Sequence, residues 1–97
     1  MDAQARDWKR MADRLWADAF DYREAAQLAA DMMRSDIAGL REAAAQALPG
    51  LRASTARTVD RHTREVARRR FDLMRNALHA LDMPRFGRRG GPTRKAG

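Results

Sequence analysis

Apolar side chains recur along the first half of the chain at Trp8, Met11, Leu15, Ala19, Tyr22, Ala26, Ala29, Met33, Ile37, Leu40, Ala44 and Ala47. Advancing about 100° per residue, these positions fall within one stripe narrower than half the helix circumference. The phase carries through Ser35-Asp36 and Gly39, which land on the polar side. The pattern predicts one long helix over residues 3–48, with a break at Ser35, giving three helices, as the alternative. Leu48-Pro49-Gly50 ends it: proline lacks an amide donor and restricts the residue before it, and glycine permits a reversal. After a turn at 49–53, a second helix is predicted over 54–82, capped by Ser54 or Thr55. Its apolar face comprises Val59, Thr63, Val66, Leu73, Met74, Ala77 and Leu81, and Met83-Pro84 stops it.

A short turn between two apolar stripes predicts an all-α fold, a long antiparallel helical hairpin with unequal arms. At 1.5 Å per residue the arms are roughly 70 Å and 40 Å long. Pairing outward from the turn sets Leu81 beside Asp21 or Tyr22 and leaves residues 3–20 without an intramolecular partner. Trp8, Met11, Leu15, Trp16 and Phe20 lie in this overhang, and Phe71 and Leu78 flank the second apolar face. Burying one such side chain is worth roughly 1.5–3 kcal/mol. These seven residues are therefore expected to form an interface, completing a bundle in a homo-oligomer or against a helical protein partner.

Composition narrows the chemistry. The chain of 97 residues has room for one small domain, assigned to residues 1–84, and alanine is the commonest residue in its 44% hydrophobic content, which favours shallow helix-to-helix seams over an enclosed core. It contains no cysteine, which excludes disulfides and thiolate metal sites. The two histidines, His62 and His79, are seventeen residues apart on one predicted helix, too far to share a metal. No nucleophilic triad, phosphate loop, dinucleotide fingerprint or zinc spacing occurs. No catalytic residue, cofactor or metal is expected, and the protein is not expected to be an enzyme. There is no apolar run of the roughly 18 residues needed to span a membrane, and the N-terminus lacks the basic-then-apolar order of a signal peptide, so the expected location is the cytoplasm.

Charge points to a partner. Residues 1–50 carry 7 basic and 9 acidic side chains, whereas residues 51–97 carry 13 basic and 4 acidic ones. In the second predicted helix Arg57, Arg61, Arg64, Arg68 and Arg75 recur at spacings of 4, 3, 4 and 7. They form a ridge within about 60° of arc, opposite the apolar face. Like charges one turn apart repel by a few tenths of a kcal/mol per pair, so an uncompensated ridge invites an anion. Residues 85–97 extend it as a basic, glycine-rich tail with Arg85, Arg88, Arg89, Arg94 and Lys95. Ridge and tail together have the electrostatic footprint of a protein that binds nucleic-acid backbone. The alternative is an assembly or adaptor protein that docks its basic arm on an acidic protein partner. A membrane-surface role ranks below both, because the first amphipathic stripe is alanine-rich and its basic residues are matched by acids. Arg70 projects into the predicted apolar face and is expected to snorkel outward or to meet a carboxylate from another chain.

Overall fold

Asp21 starts a helix where the apolar pattern runs on without a break. Its carboxylate accepts from the backbone N–H groups of Arg23 and Glu24, taking up donors that the first turn of a helix leaves unpaired. In this computed structural model, which describes residues 3–82, the chain before that cap is a separate helix, α1 (Ala3–Ala17). Three more follow: α2 (Tyr22–Met32), α3 (Ala38–Ala53) and α4 (Arg61–Ala80). The described residues are all-helical and contain no strand.

The continuous helix expected over 3–48 is thus interrupted twice, at 18–21 and at 33–37. The second interruption falls at the alternative break. Ser35, only 8% exposed, accepts from the amide of Ile37 through its hydroxyl. Its carbonyl accepts from the guanidinium of Arg41. A side chain that satisfies backbone donors locally competes with the helix, and here it wins although the apolar phase is unbroken.

The expected turn at 49–53 is also corrected, because α3 passes through Pro49 and Gly50 to Ala53. Proline removes the hydrogen bond to the carbonyl four residues back, which belongs to Ala45. Both Ala45 and Pro49 are exposed, so water is available to that carbonyl. Gly50 faces α4, and a Cβ built there would lie 3.4 Å from the Ala67 Cβ. The reversal comes at 54–60. Asp60, rather than Ser54 or Thr55, caps α4 by accepting from the Thr63 amide at 2.7 Å.

Each helix packs on its neighbours in turn: α1 on α2 and α4, α2 on α3, and α3 on α4. The registers are antiparallel. Lys9 meets Asp82, Asp13 meets His79, and Trp16 meets Phe71 along α1 and α4, while Gln46 meets Arg70 and Gly50 meets Ala67 along α3 and α4. Leu15, Leu28, Met32, Leu40, Leu51, Phe71, Met74 and Leu78 are the largest side chains wholly enclosed between them.

Two expectations about burial change with this arrangement. The overhang is not unpartnered: α1 lies back along α4, burying Trp8 and Leu15 and packing Met11, Trp16 and Phe20 against the core. The apolar surface that called for a second copy or a helical partner is covered within the chain. The buried face of α4 is also rotated from its expected position. Ala67, Phe71, Met74 and Leu78 form it, with Phe71 and Leu78 at 0% exposure, whereas Leu73 is 55% exposed. Flanked by α3 on one side and α1 on the other, α4 buries the stripe between them. The reading from sequence allowed for one neighbour.

Ser35→Ala is expected to lower the unfolding free energy by about 1 kcal/mol, the usual worth of such a side-chain-to-backbone bond. Gly39, whose added Cβ would meet nothing within 4 Å, is expected to accept alanine without loss. Urea denaturation of the two variants checks both, and a neutral Ser35→Ala would remove the hydroxyl from the account of the break.

Candidate nucleic-acid interface

Four aromatic rings gather where α1 ends, the 18–21 turn crosses, and α4 passes beneath. Trp16 stacks on Phe71 with centroids 6.2 Å apart and planes at 11°. Phe20 meets Phe71 edge-on at 4.9 Å, Tyr22 at 4.9 Å and Trp16 at 6.2 Å. Such pairs add about 0.5–1.5 kcal/mol each beyond their buried area. The enclosed Phe71 holds the others in place, and Trp16, Phe20 and Tyr22 remain partly accessible.

Arginines of α4 cover these rings. The Arg68 guanidinium carbon lies 5.1 Å from the Trp16 centroid and 4.9 Å from that of Phe20. Arg64 lies 6.0 Å from the Tyr22 centroid, and Arg75 lies 5.7 Å from Trp16. Cation–π attraction is worth about 0.5–1 kcal/mol at exposed sites, enough to lay a guanidinium flat without cancelling its charge. The expected ridge opposite the apolar face is corrected accordingly. Arg68 and Arg75 stand beside α1 and Arg64 beside the start of α2, at the margin of the buried stripe.

The five ridge arginines part company here. Arg75 is consumed: its Nε donates to Asp13 at 3.0 Å and its Nη1 to Asp72 at 3.3 Å. Among the described residues Arg57, Arg61, Arg64 and Arg68 form no ion pair, and all four are exposed. Arg57 lies in the 54–60 connection and Arg61 opens α4. The first turn of α4 contains no acid beyond its Asp60 cap, and a cation at this end of a helix is disfavoured by the dipole. Arg70 neither faces the core nor meets a carboxylate; it is exposed and donates to the Gln46 carbonyl at 3.0 Å. Arg85, Arg88, Arg89, Arg94 and Lys95 lie outside the described residues.

A shallow cleft of about 460 Å³ opens beside this surface, lined by Ala19, Phe20, Asp21, Tyr22, Arg23, Ser54 and Thr55. It forms where the α1–α2 and α3–α4 connections meet. Ser54 is 3% exposed and its hydroxyl has no hydrogen-bond partner among the described residues. Thr55 donates its hydroxyl hydrogen to the Arg52 carbonyl at 2.7 Å. A smaller cleft at the opposite end, about 260 Å³, is lined by Arg6, Lys9, Arg10, Asp13 and Asp82. There Lys9 pairs with Asp82, and Arg10 with Asp7.

Asp13 was one of several scattered acids in the sequence, yet it joins α1 to α4. Its carboxylate accepts from His79 Nε2 at 2.6 Å as well as from Arg75. Burial pushes its pKa up, but the hydrogen bonds from His79 and Arg75 outweigh that and hold it below the ordinary 3.8. Partners 62 and 66 residues apart leave no mark in local sequence. Tyr22, Arg23, Ser54 and Thr55 were likewise not singled out as site residues. The available signal was Asp21 with Glu24 three residues on, a helix-start pattern that places a turn beside Phe20.

No group of three or more histidine, aspartate or glutamate side chains suited to a metal occurs among the described residues. No helix among them is long and apolar enough to cross a membrane. No protein-family model, characterised protein or solved structure matches this chain.

Because the folded pKa of Asp13 lies below its unfolded value, its contribution to stability is complete above about pH 4 and fades as pH falls through the lowered value. The melting temperature of Asp13→Asn should therefore lie below that of the unaltered protein at pH 6, with the gap narrowing toward pH 2. A gap that stays constant over that range would dissociate the clamp from the carboxylate's charge.

Proposed function

We propose that this is a non-enzymatic helical protein that binds the sugar–phosphate backbone of nucleic acid through the basic start of α4. One observation carries the reading: Arg57, Arg61, Arg64 and Arg68 are exposed and form no ion pair among the described residues, gathered along one side of the 54–60 connection and the first half of α4. Mutual repulsion there is relieved by a polyanion. Neutralising phosphates releases condensed counterions, which supplies most of the affinity of such surfaces. No helix is presented as a reading head with a complementary set of base-edge contacts, so binding is expected to depend little on sequence. Arg85, Arg88, Arg89, Arg94 and Lys95 add positive charge along the same chain and raise the association rate. Docking on an acidic protein surface draws on the same charges. Nucleic acid is preferred because Arg64 and Arg68 alternate with accessible aromatic rings, a combination suited to nucleotides.

Changing Arg61, Arg64 and Arg68 together to Gln is expected to weaken binding and to reduce the slope of log affinity against log salt by up to about 0.9 for each phosphate that is no longer neutralised. The measurement is a salt titration by fluorescence anisotropy with labelled DNA, with helicity followed by circular dichroism. Deleting residues 85–97 should weaken binding at low salt. Absence of binding at about 50 mM salt would overturn the reading and leave the acidic-protein adaptor in its place.

A further inference from the structure

The cleft at the end of the bundle differs in kind from the charged surface beside it. Phe20 and Tyr22 form part of its wall at 4.9 Å from one another, and each carries an arginine against its ring, Arg68 and Arg64 respectively. The cleft thus sits inside a rim of positive charge. Its own lining is not basic throughout, because Asp21 contributes a carboxylate and Ser54 and Thr55 contribute polar hydroxyl-bearing residues. A carboxylate in the lining repels phosphate. A neutral, flat group with donors and acceptors on its edge suits the same walls.

From this we infer that the cleft takes an unstacked nucleobase, so that the protein prefers single-stranded nucleic acid to duplex; the inference rests on the backbone-binding reading above. Aromatic faces stack on any base and so give strand-type selectivity without sequence selectivity. A base paired within a duplex has both faces covered and its edge engaged, and is not available to such a cleft without the cost of flipping. The volume of about 460 Å³ is ample for one base. Arg23 and Thr55, both exposed in the lining, are the polar side chains within reach of a base edge. Phosphates on either side of the inserted base then fall toward Arg64 and Arg68 at the rim. Asp21 stays in place because it is engaged by the amides of Arg23 and Glu24.

The test compares a labelled oligothymidine of about 20 nucleotides with a duplex of equal length, using the full chain at about 50 mM salt. The oligothymidine should bind about tenfold more tightly, which corresponds to one base–aromatic stack of 1–3 kcal/mol. Tyr22→Leu, which keeps apolar volume but removes the ring, should lower oligothymidine affinity by more than duplex affinity and so abolish most of that preference. Should Tyr22→Leu lose helicity, Thr55→Met, at an exposed position of the lining, fills the cleft from the opposite side without adding a ring and should likewise remove the preference. Equal affinity for both probes, or a preference that survives a filled cleft, overturns the base-binding site while leaving backbone binding intact. No binding to either probe overturns both.

Discussion

The arrangement of rings and arginines at the end of α1 depends on how Phe71 is enclosed. It is fully buried, stacked beneath Trp16 and met edge-on by Phe20, so one side chain of α4 fixes the end of α1 and the turn that follows. Truncating a buried phenylalanine costs about 3–5 kcal/mol, a large share of the roughly 5–15 kcal/mol typical of a folded domain. The ring also decides which flank of α4 is covered. With Trp16 and Phe20 seated on it, Arg64 and Arg68 have only the outer faces of the aromatic cluster to lie on. The position of positive charge therefore follows from an apolar contact.

The two ends of the bundle treat charge in opposite ways. At the end where α1 begins and α4 finishes, Lys9, Arg75 and His79 are matched by Asp82, Asp13 and Asp72. Those pairs cross between helices, and the lowered pKa of Asp13 and Asp82 registers the hydrogen bonds made to them. At the other end Arg14 is paired with Glu24, but Arg57, Arg61, Arg64 and Arg68 form no ion pair among the described residues. Fuller pairing at one end than at the other gives the molecule a polarity that its net charge of +7 does not convey. A polyanion would be attracted to the end carrying the cleft.

Much of the architecture was legible in the chain itself. Period-3.6 patterning with few strand formers made an all-helical protein the only reasonable reading, since that pattern gives no consistent face to a strand. The absence of cysteine excluded thiolate chemistry outright. The asymmetry of charge between the halves was also plain, because counting needs no geometry. Asp21 with Glu24, and Ser35 before Ile37, carried the signals of the two breaks, but an unbroken apolar phase outweighed them. Phase continuity reflects only that α1, α2 and α3 each turn an apolar stripe inward; it does not require that they be one rod.

Tertiary structure alone decided which neighbours α4 has. Once α1 folds back, α4 is covered on two flanks, so Phe71 and Leu78 move from margin to core and Leu73 moves outward. Arg75 passes from open ridge to ion pair by the same step, while Arg68 is laid on two rings. The joining of Asp13 to His79 and the meeting of Tyr22 with Ser54 across a cleft bring together residues 66 and 32 positions apart. Local sequence determines helices because their hydrogen bonds close within four residues. Contacts between helices depend on where the chain reverses, and reversals at 18–21, 33–37 and 54–60 in place of a single turn at 49–53 change the partners along every helix.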